Sequence, residues 1–140
     1  MTGNKLDYSS LEKAVTTLET AVTSYKSITG PASPEERDLM RDGVIQRFEY
    51  TFELAWKTIK RYLEMYGLEK VDKLTSRDLF RSAFETGLIR DAASWFDYLT
   101  DRNQTSHAYD QKVAAEVFGS AEGFLNDARF LLAQLKERVK

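Results

Sequence analysis

Cysteine is absent from this 140-residue chain. That removes disulfides, thiolate zinc sites and thiol nucleophiles together, and it fits a reducing compartment such as the cytoplasm. Histidine is nearly absent too, since His107 is the only one. Any reaction that needs an imidazole near neutral pH must use this residue or its copy in another subunit. No stretch approaches about eighteen consecutive apolar residues, so no membrane span is expected. The first thirty residues mix charge and polarity without a continuous apolar segment, so no secretory signal is expected either. Charge of one sign is not in excess: 20 Lys and Arg face 22 Asp and Glu, for a formal net charge of −2. Such a balance gives no bulk attraction to phosphate or to anionic membranes, so any polyanion contact must come from a local patch. Also missing are a glycine-rich phosphate loop, a paired-histidine zinc signature, and a serine or cysteine elbow with a histidine base. No set of carboxylates has convincing metal spacing, so neither metal nor cofactor is expected on the chain.

What is present is enough for a core. Hydrophobic residues make up 42% of the chain and charged residues 30%, and 12% are aromatic, which predicts one globular domain over residues 1–140. Only Pro31 and Pro34 interrupt it, and no proline follows, so the remainder is free to form long helices. Leu11, Ala14, Val15, Leu18, Ala21, Val22 and Tyr25 share one face of a first helix placed at roughly 7 to 28. Ser33 before Pro34, Glu35 and Glu36 supplies a cap, a first-turn proline and a capping-box acid, and so opens a second helix. Its stripe of Val44, Phe48, Phe52, Ala55, Ile59, Leu63 and Tyr66 runs to Gly67, a length of about 33 residues or about 50 Å. Tyr50, Trp56 and Tyr62 lie off the stripe's centre and predict a broad core face or a dimer contact.

Thr75 and Ser76 open a segment carrying Leu79, Ala83 and Phe84 that stops near Gly87. Asp91 caps the next, with Ala92, Trp95, Phe96 and Leu99, and Asp110 caps a last one reaching nearly to the C-terminus. No internal repeat and no alternating strand pattern is present. The expected fold is all-α: an antiparallel up-down four-helix bundle with a broken third helix.

One stretch carries chemistry. Arg102, Asn103, His107 and Tyr109 concentrate a permanent cation, an amide, an imidazole and a phenol within eight residues. On an ideal helix Arg102 and Tyr109 share a face, as do Asn103 and His107, whereas Arg102 and His107 diverge by roughly 140°. Convergence on one substrate then requires the helix to end or bend between them, or a second subunit to contribute. In metal-free RNA cleavage an imidazole moves a proton at the attacking 2′-hydroxyl or the leaving 5′-oxygen, while a guanidinium stabilises the phosphate. With one histidine per chain, a two-fold dimer makes symmetry part of the chemistry. Spacing alone points first to a structural role, in which Arg102 pairs with Asp97, Asp101 or Asp110 and His107 closes the helix C-terminus. Lys57, Lys60 and Arg61 form a basic cluster that reads as a solvated face pairing with Glu53 and Glu64, and otherwise as an RNA guide. Trp56, Trp95 and Phe96 read as packing rather than base stacking.

Residues Phe48 through Lys57, Arg77-Asp78, Ala83-Phe84, Gly87-Leu88-Ile89 and Asp101 through Asp110 resemble the HEPN superfamily. The resemblance is specifically to the HepT-like proteins, also described as nucleotidyltransferase substrate-binding proteins. The family's motif of an Arg, four residues, a His, one residue and a Tyr is matched at Arg102, His107 and Tyr109. The resemblance implies a helical homodimer with a metal-independent ribonuclease centre, paired as a toxin with a separate minimal nucleotidyltransferase that needs magnesium. That partner transfers AMP from ATP onto the motif tyrosine, here Tyr109. Arg102 is then the phosphate stabiliser, His107 the proton-transfer group and Asn103 an orienting group. The alternative is a noncatalytic subunit of the same family that docks the nucleotidyltransferase and binds a nucleotide or substrate. Neither reading expects DNA or a membrane as partner.

Overall fold

The structure, a computed structural model, describes residues 5–28, 33–67 and 70–139. Pro31, half of the expected first break, lies outside them. Among the described residues there are five α-helices and no strand: α1 (Ser9–Lys26), α2 (Pro34–Met65), α3 (Ser76–Glu85), α4 (Ala92–Gln104) and α5 (Gln111–Arg138). Short 3₁₀ turns occupy Val71–Lys73 and Thr105–His107. No helix among these residues is long and apolar enough to cross a membrane.

The helix starts follow from local amide chemistry. A helix leaves its first N–H groups unpaired, and a short polar side chain just before it accepts from one of them. Ser33 accepts from the Glu36 amide, Thr75 from that of Asp78, Asp91 from that of Ser94, and Asp110 from those of Lys112 and Val113. α3 ends where Gly87, at φ +77°, takes the left-handed conformation, and the Leu88 amide turns back onto the Ala83 carbonyl at 2.9 Å. This corner separates α3 from α4.

Contacts between helices fix their directions. Ascending α1, Glu12, Glu19 and Lys26 pair with Lys136, Arg129 and Glu122 of α5 in descending order, so the two run antiparallel. α1 also runs against α2, with the Thr17 and Tyr50 hydroxyls 2.7 Å apart and the Thr51 hydroxyl donating to the Ala14 carbonyl. α4 packs on α2 and on α5. The core between them is aromatic. Trp95 is fully buried, with ring centroids 5.5 Å from Phe80, 5.6 Å from Phe124 and 5.7 Å from Tyr98. Burying each such ring stabilises the fold by about 1.5–3 kcal/mol relative to leaving it exposed. Tyr62 lies in this core, Trp56 packs on its edge with its indole N–H donating to the Ser76 hydroxyl, and Tyr50 stays partly exposed. The broad apolar face of α2 is therefore used mostly inside the chain.

Candidate active site at the end of the fourth helix

α4 stops at Gln104 and the chain tightens into a 3₁₀ turn through His107. Ideal-helix spacing therefore does not carry across the motif: Arg102 and Asn103 stand on the last turn of an α-helix, whereas His107 and Tyr109 lie beyond its end. The helix carbonyls that end here favour positive charge, which suits the Arg102 guanidinium. The Asp110 carboxylate opens α5 immediately afterwards. The four motif residues are thus presented between one helix's end and the next one's start.

Arg102 is held from α2. Its Nε donates to Glu53 Oε1 at 2.5 Å, and Nη1 lies 3.9 Å from Glu49 Oε2. The Thr105 hydroxyl is 2.8 Å from both Glu49 Oε2 and the Arg102 carbonyl, which pins the start of the 3₁₀ turn to the same acids. The arginine's partners are thus Glu53 and Glu49, not Asp97, Asp101 or Asp110 of its own segment. The guanidinium and the two carboxylates keep 31–40% of their side-chain surface exposed, so water and ligands reach the cluster. Asn103 and His107 are exposed, Tyr109 is 84% exposed, and the His107 and Tyr109 rings lie 6.3 Å apart in edge-on orientation. Beside them a groove of about 330 Å³ is bounded by α2 and the turn.

Asp101, the neighbour of Arg102, faces α5 instead. Its carboxyl is pushed above the usual carboxylate value by burial, against a hydrogen bond from Ser120 and with added repulsion from Asp97 and Glu116. Among the described residues no cluster of three or more His, Asp or Glu is poised for a metal.

The other charged and aromatic candidates resolve as follows. Lys60 pairs with Asp72 at 3.0 Å, not with Glu53 or Glu64, while Lys57 and Arg61 are exposed. Glu53 is taken by Arg102 across 49 positions of sequence, a pairing that helix periodicity alone does not contain. Trp95 is too buried to stack on a base, and Phe96 lies beneath the Arg77 and Arg81 guanidinium groups at 4.7 and 5.4 Å. Residue-by-residue reading passed over Glu49, Glu53 and Thr105 as site residues. Their available signal was two acids four apart on α2, next to the buried Phe48 and Phe52.

The fold and the site together define a helical domain that offers a guanidinium, an imidazole and a phenol at one solvent-open corner. Residues 6–137 match the family model described as nucleotidyltransferase substrate binding protein like. The chain belongs to this HepT-like, nucleotidyltransferase substrate-binding family. It is 38% identical over 104 residues to a Haemophilus influenzae protein described as probable ribonuclease HepT, covering 73% of this chain and 71% of that protein. A solved Haemophilus influenzae structure, reported as the fold of a substrate binding domain of a nucleotidyltransferase, superposes with a TM-score of 0.83. It is 32% identical, and the match covers 93% of this chain and 99% of that one. A Thermus thermophilus crystal structure, also 32% identical, matches with a TM-score of 0.69 over 89% of this chain and 98% of its own.

Proposed function

We propose that this protein is a metal-independent endoribonuclease of the HepT type, the toxin of a toxin-antitoxin pair restrained by a minimal nucleotidyltransferase. The observation that carries the reading is the anchored Arg102, followed five residues later by an exposed imidazole and two further on by an exposed phenol. The relative described as a probable ribonuclease supports it. In this reading the helices form an antiparallel up-down bundle whose third member is broken, and two copies associate in the cytoplasm with their motif corners facing one groove.

The proton inventory then balances. His107 of one copy takes the proton of the 2′-hydroxyl as its oxygen attacks the adjacent phosphorus. The bond to the 5′-oxygen breaks, and the imidazolium of the second copy returns a proton to that oxygen. A 2′,3′-cyclic phosphate and a free 5′-hydroxyl result. Arg102 stabilises the extra charge on the phosphorane, and Asn103 orients the reacting groups. Regulation uses the tyrosine: the Tyr109 oxygen attacks the α-phosphorus of ATP on the partner enzyme, pyrophosphate departs, and the phenolic proton passes to solvent. The phosphodiester adds bulk and negative charge near Arg102, which draws the guanidinium and obstructs RNA.

Expression of the chain without its partner tests this. Wild type is expected to arrest growth and deplete RNA, and purified protein to cleave RNA in excess chelator, whereas His107→Ala and Arg102→Ala are expected to do neither. Cleavage that survives both substitutions overturns the catalytic assignment. The intact mass of the wild type rises by whole AMP increments after incubation with the partner and ATP, and that of Tyr109→Phe does not.

A second reading is supported by the family description itself: a noncatalytic subunit that docks the nucleotidyltransferase and presents a substrate or nucleotide. Full complex formation by a wild type that never cleaves RNA selects it.

A further inference from the structure

We infer that the groove beside Tyr109 is a seat for a nucleobase bearing an exocyclic amino group, and that it receives the adenine of an AMP carried on Tyr109. The inference rests on the reading of Tyr109 as the adenylate acceptor. The groove's volume of about 330 Å³ falls at the lower end of the roughly 300–1,000 Å³ typical of small-molecule sites. Its lining includes Asp42, Ile45, Gln46, Glu49, Ala108 and Tyr109 itself, so a group bonded to the phenol oxygen is tethered at its edge.

The wall chemistry selects the occupant. None of the lining residues is Lys or Arg and two are carboxylates, whose charge Arg41, 3.8 Å from Asp42, and Arg102, 3.9 Å from Glu49, balance from outside the groove, so the walls suit a neutral heterocycle with hydrogen-bond donors. The Asp42 and Glu49 carboxylates accept hydrogen bonds and so suit an amino group or a ribose hydroxyl. The Gln46 amide both donates and accepts, the combination that pairs in bidentate fashion with adenine. Ala108 and the Tyr109 ring supply apolar surface for the base, over a floor closed by the buried Ile45. Uracil offers carbonyl oxygens where adenine offers an amino group, and these face the carboxylates unfavourably. The phosphate of a tethered AMP stays at the mouth while the base turns inward.

The placement also gives the modification a route to the site. Glu49 is at once a wall of the groove, the acceptor for Thr105 and the second carboxylate beside Arg102. A nucleoside seated there occupies the approach to the guanidinium.

The test uses isotope-labelled full-length protein titrated with adenosine and, separately, with uridine, following the resonances of Ile45, Gln46 and Ala108. Adenosine is expected to half-saturate these shifts at a concentration at least about tenfold below that of uridine. Gln46→Ala, a change at an exposed position, is expected to weaken adenosine several-fold while leaving the spectrum folded. Equal affinities, shifts confined to other residues, or an unaffected Gln46→Ala overturn the seat. In protein adenylated by the partner, nuclear Overhauser contacts from adenine protons to the Ile45 methyls are expected. A modified Tyr109 whose adenine shows no such contact overturns the seat and leaves the modification standing. A Tyr109 that is never modified overturns the regulatory reading, while the adenosine titration still decides whether the groove accepts the base.

Discussion

Helix α4 is flanked by two arginines, and each reaches a carboxylate on a neighbouring helix. Just before its start, Arg90 clasps Asp127 of α5 through Nε at 3.0 Å and Nη2 at 2.6 Å, and the Tyr98 hydroxyl donates to the same carboxylate. At its end Arg102 meets Glu53 and Glu49 of α2. The chemistry is the same and the burial is not. The Asp127 side chain is only 10% exposed, whereas those of Glu53 and Glu49 are about 40% exposed. Around Asp127 the space is filled, and a Cβ on Gly123 would lie 3.4 Å from the Tyr98 hydroxyl. A buried carboxylate stripped of its partners loses several kcal/mol, whereas an exposed pair is worth about 0–1 kcal/mol. The first cluster therefore fastens helices through a buried carboxylate, although Arg90 itself is 49% exposed, and the second joins Arg102, 31% exposed, to two acids that water reaches.

The sharpest way to break this contrast is to remove each member and measure both stability and cleavage. Under the ribonuclease reading His107→Ala and Arg102→Ala lower RNA cleavage by about a thousandfold in single-turnover assays. Their urea-derived stabilities stay within about 1 kcal/mol of wild type. A comparable loss of stability in Arg102→Ala would make the two clusters equivalent.

Asp127→Ala is expected to do the reverse. It leaves the buried Tyr98 hydroxyl unpaired and lowers the unfolding free energy by about 3 kcal/mol, read from denaturant curves. The residual cleavage rate per folded molecule stays near that of wild type. Glu53→Gln has a smaller effect. The amide oxygen still accepts from Arg102 Nε, so stability moves by less than about 1 kcal/mol, and loss of one negative charge lowers the KM for RNA roughly threefold. A raised KM would mean that the charge of Glu53, not only its hydrogen bond, keeps Arg102 in place.

The smallest effect is seen at high pH. Burial, and then the hydrogen bond to Asp127, push the Tyr98 phenol above its ordinary value of 10.0. Above that pH the unfolded chain loses this proton while the folded chain keeps it, so the folded state binds more protons and stability declines as pH rises. The contribution is intact below pH 10 and fades as pH climbs toward the raised folded value. Alkaline denaturation midpoints of wild type and Tyr98→Phe check this, since the variant lacks that slope.

Much of this molecule is legible one helix at a time. The caps at Ser33, Thr75, Asp91 and Asp110 answer a problem within four residues of themselves, so the local sequence suffices to place them. The apolar stripes of α1, α2 and α5 follow helix periodicity in the same way. The motif residues Arg102, Asn103, His107 and Tyr109 stand out because four different chemistries fall within eight residues and because their spacing matches the HepT-like motif, whereas spacing alone leaves a structural role open. What fastens Arg102 is not legible in that way, since Glu49 and Glu53 lie on another helix and their pairing exists only after α2 and α4 pack. Asp127 left a fainter trace: it falls in the buried register with Phe124, Ala128 and Leu131, where an acid needs a partner. Which partner it takes, Arg90 and Tyr98, is decided by the corner at Gly87 that sets α4 in place. That the helix ends between Arg102 and His107 is one of the alternatives the spacing leaves open, and the choice is made by hydrogen bonding from Thr105 to an acid on α2, which belongs to the assembled chain.

Anchorage of α4 at both extremities makes its residue count as consequential as its residue types. One amino acid inserted between Arg90 and Arg102 rotates everything downstream by about 100° and advances it about 1.5 Å. If Arg90 keeps its grip, Arg102 swings off the two glutamates, and the imidazole and phenol are carried away with it. The helix acts as a spacer of fixed gauge, and a chain with every side chain intact would lose its corner through a single added letter.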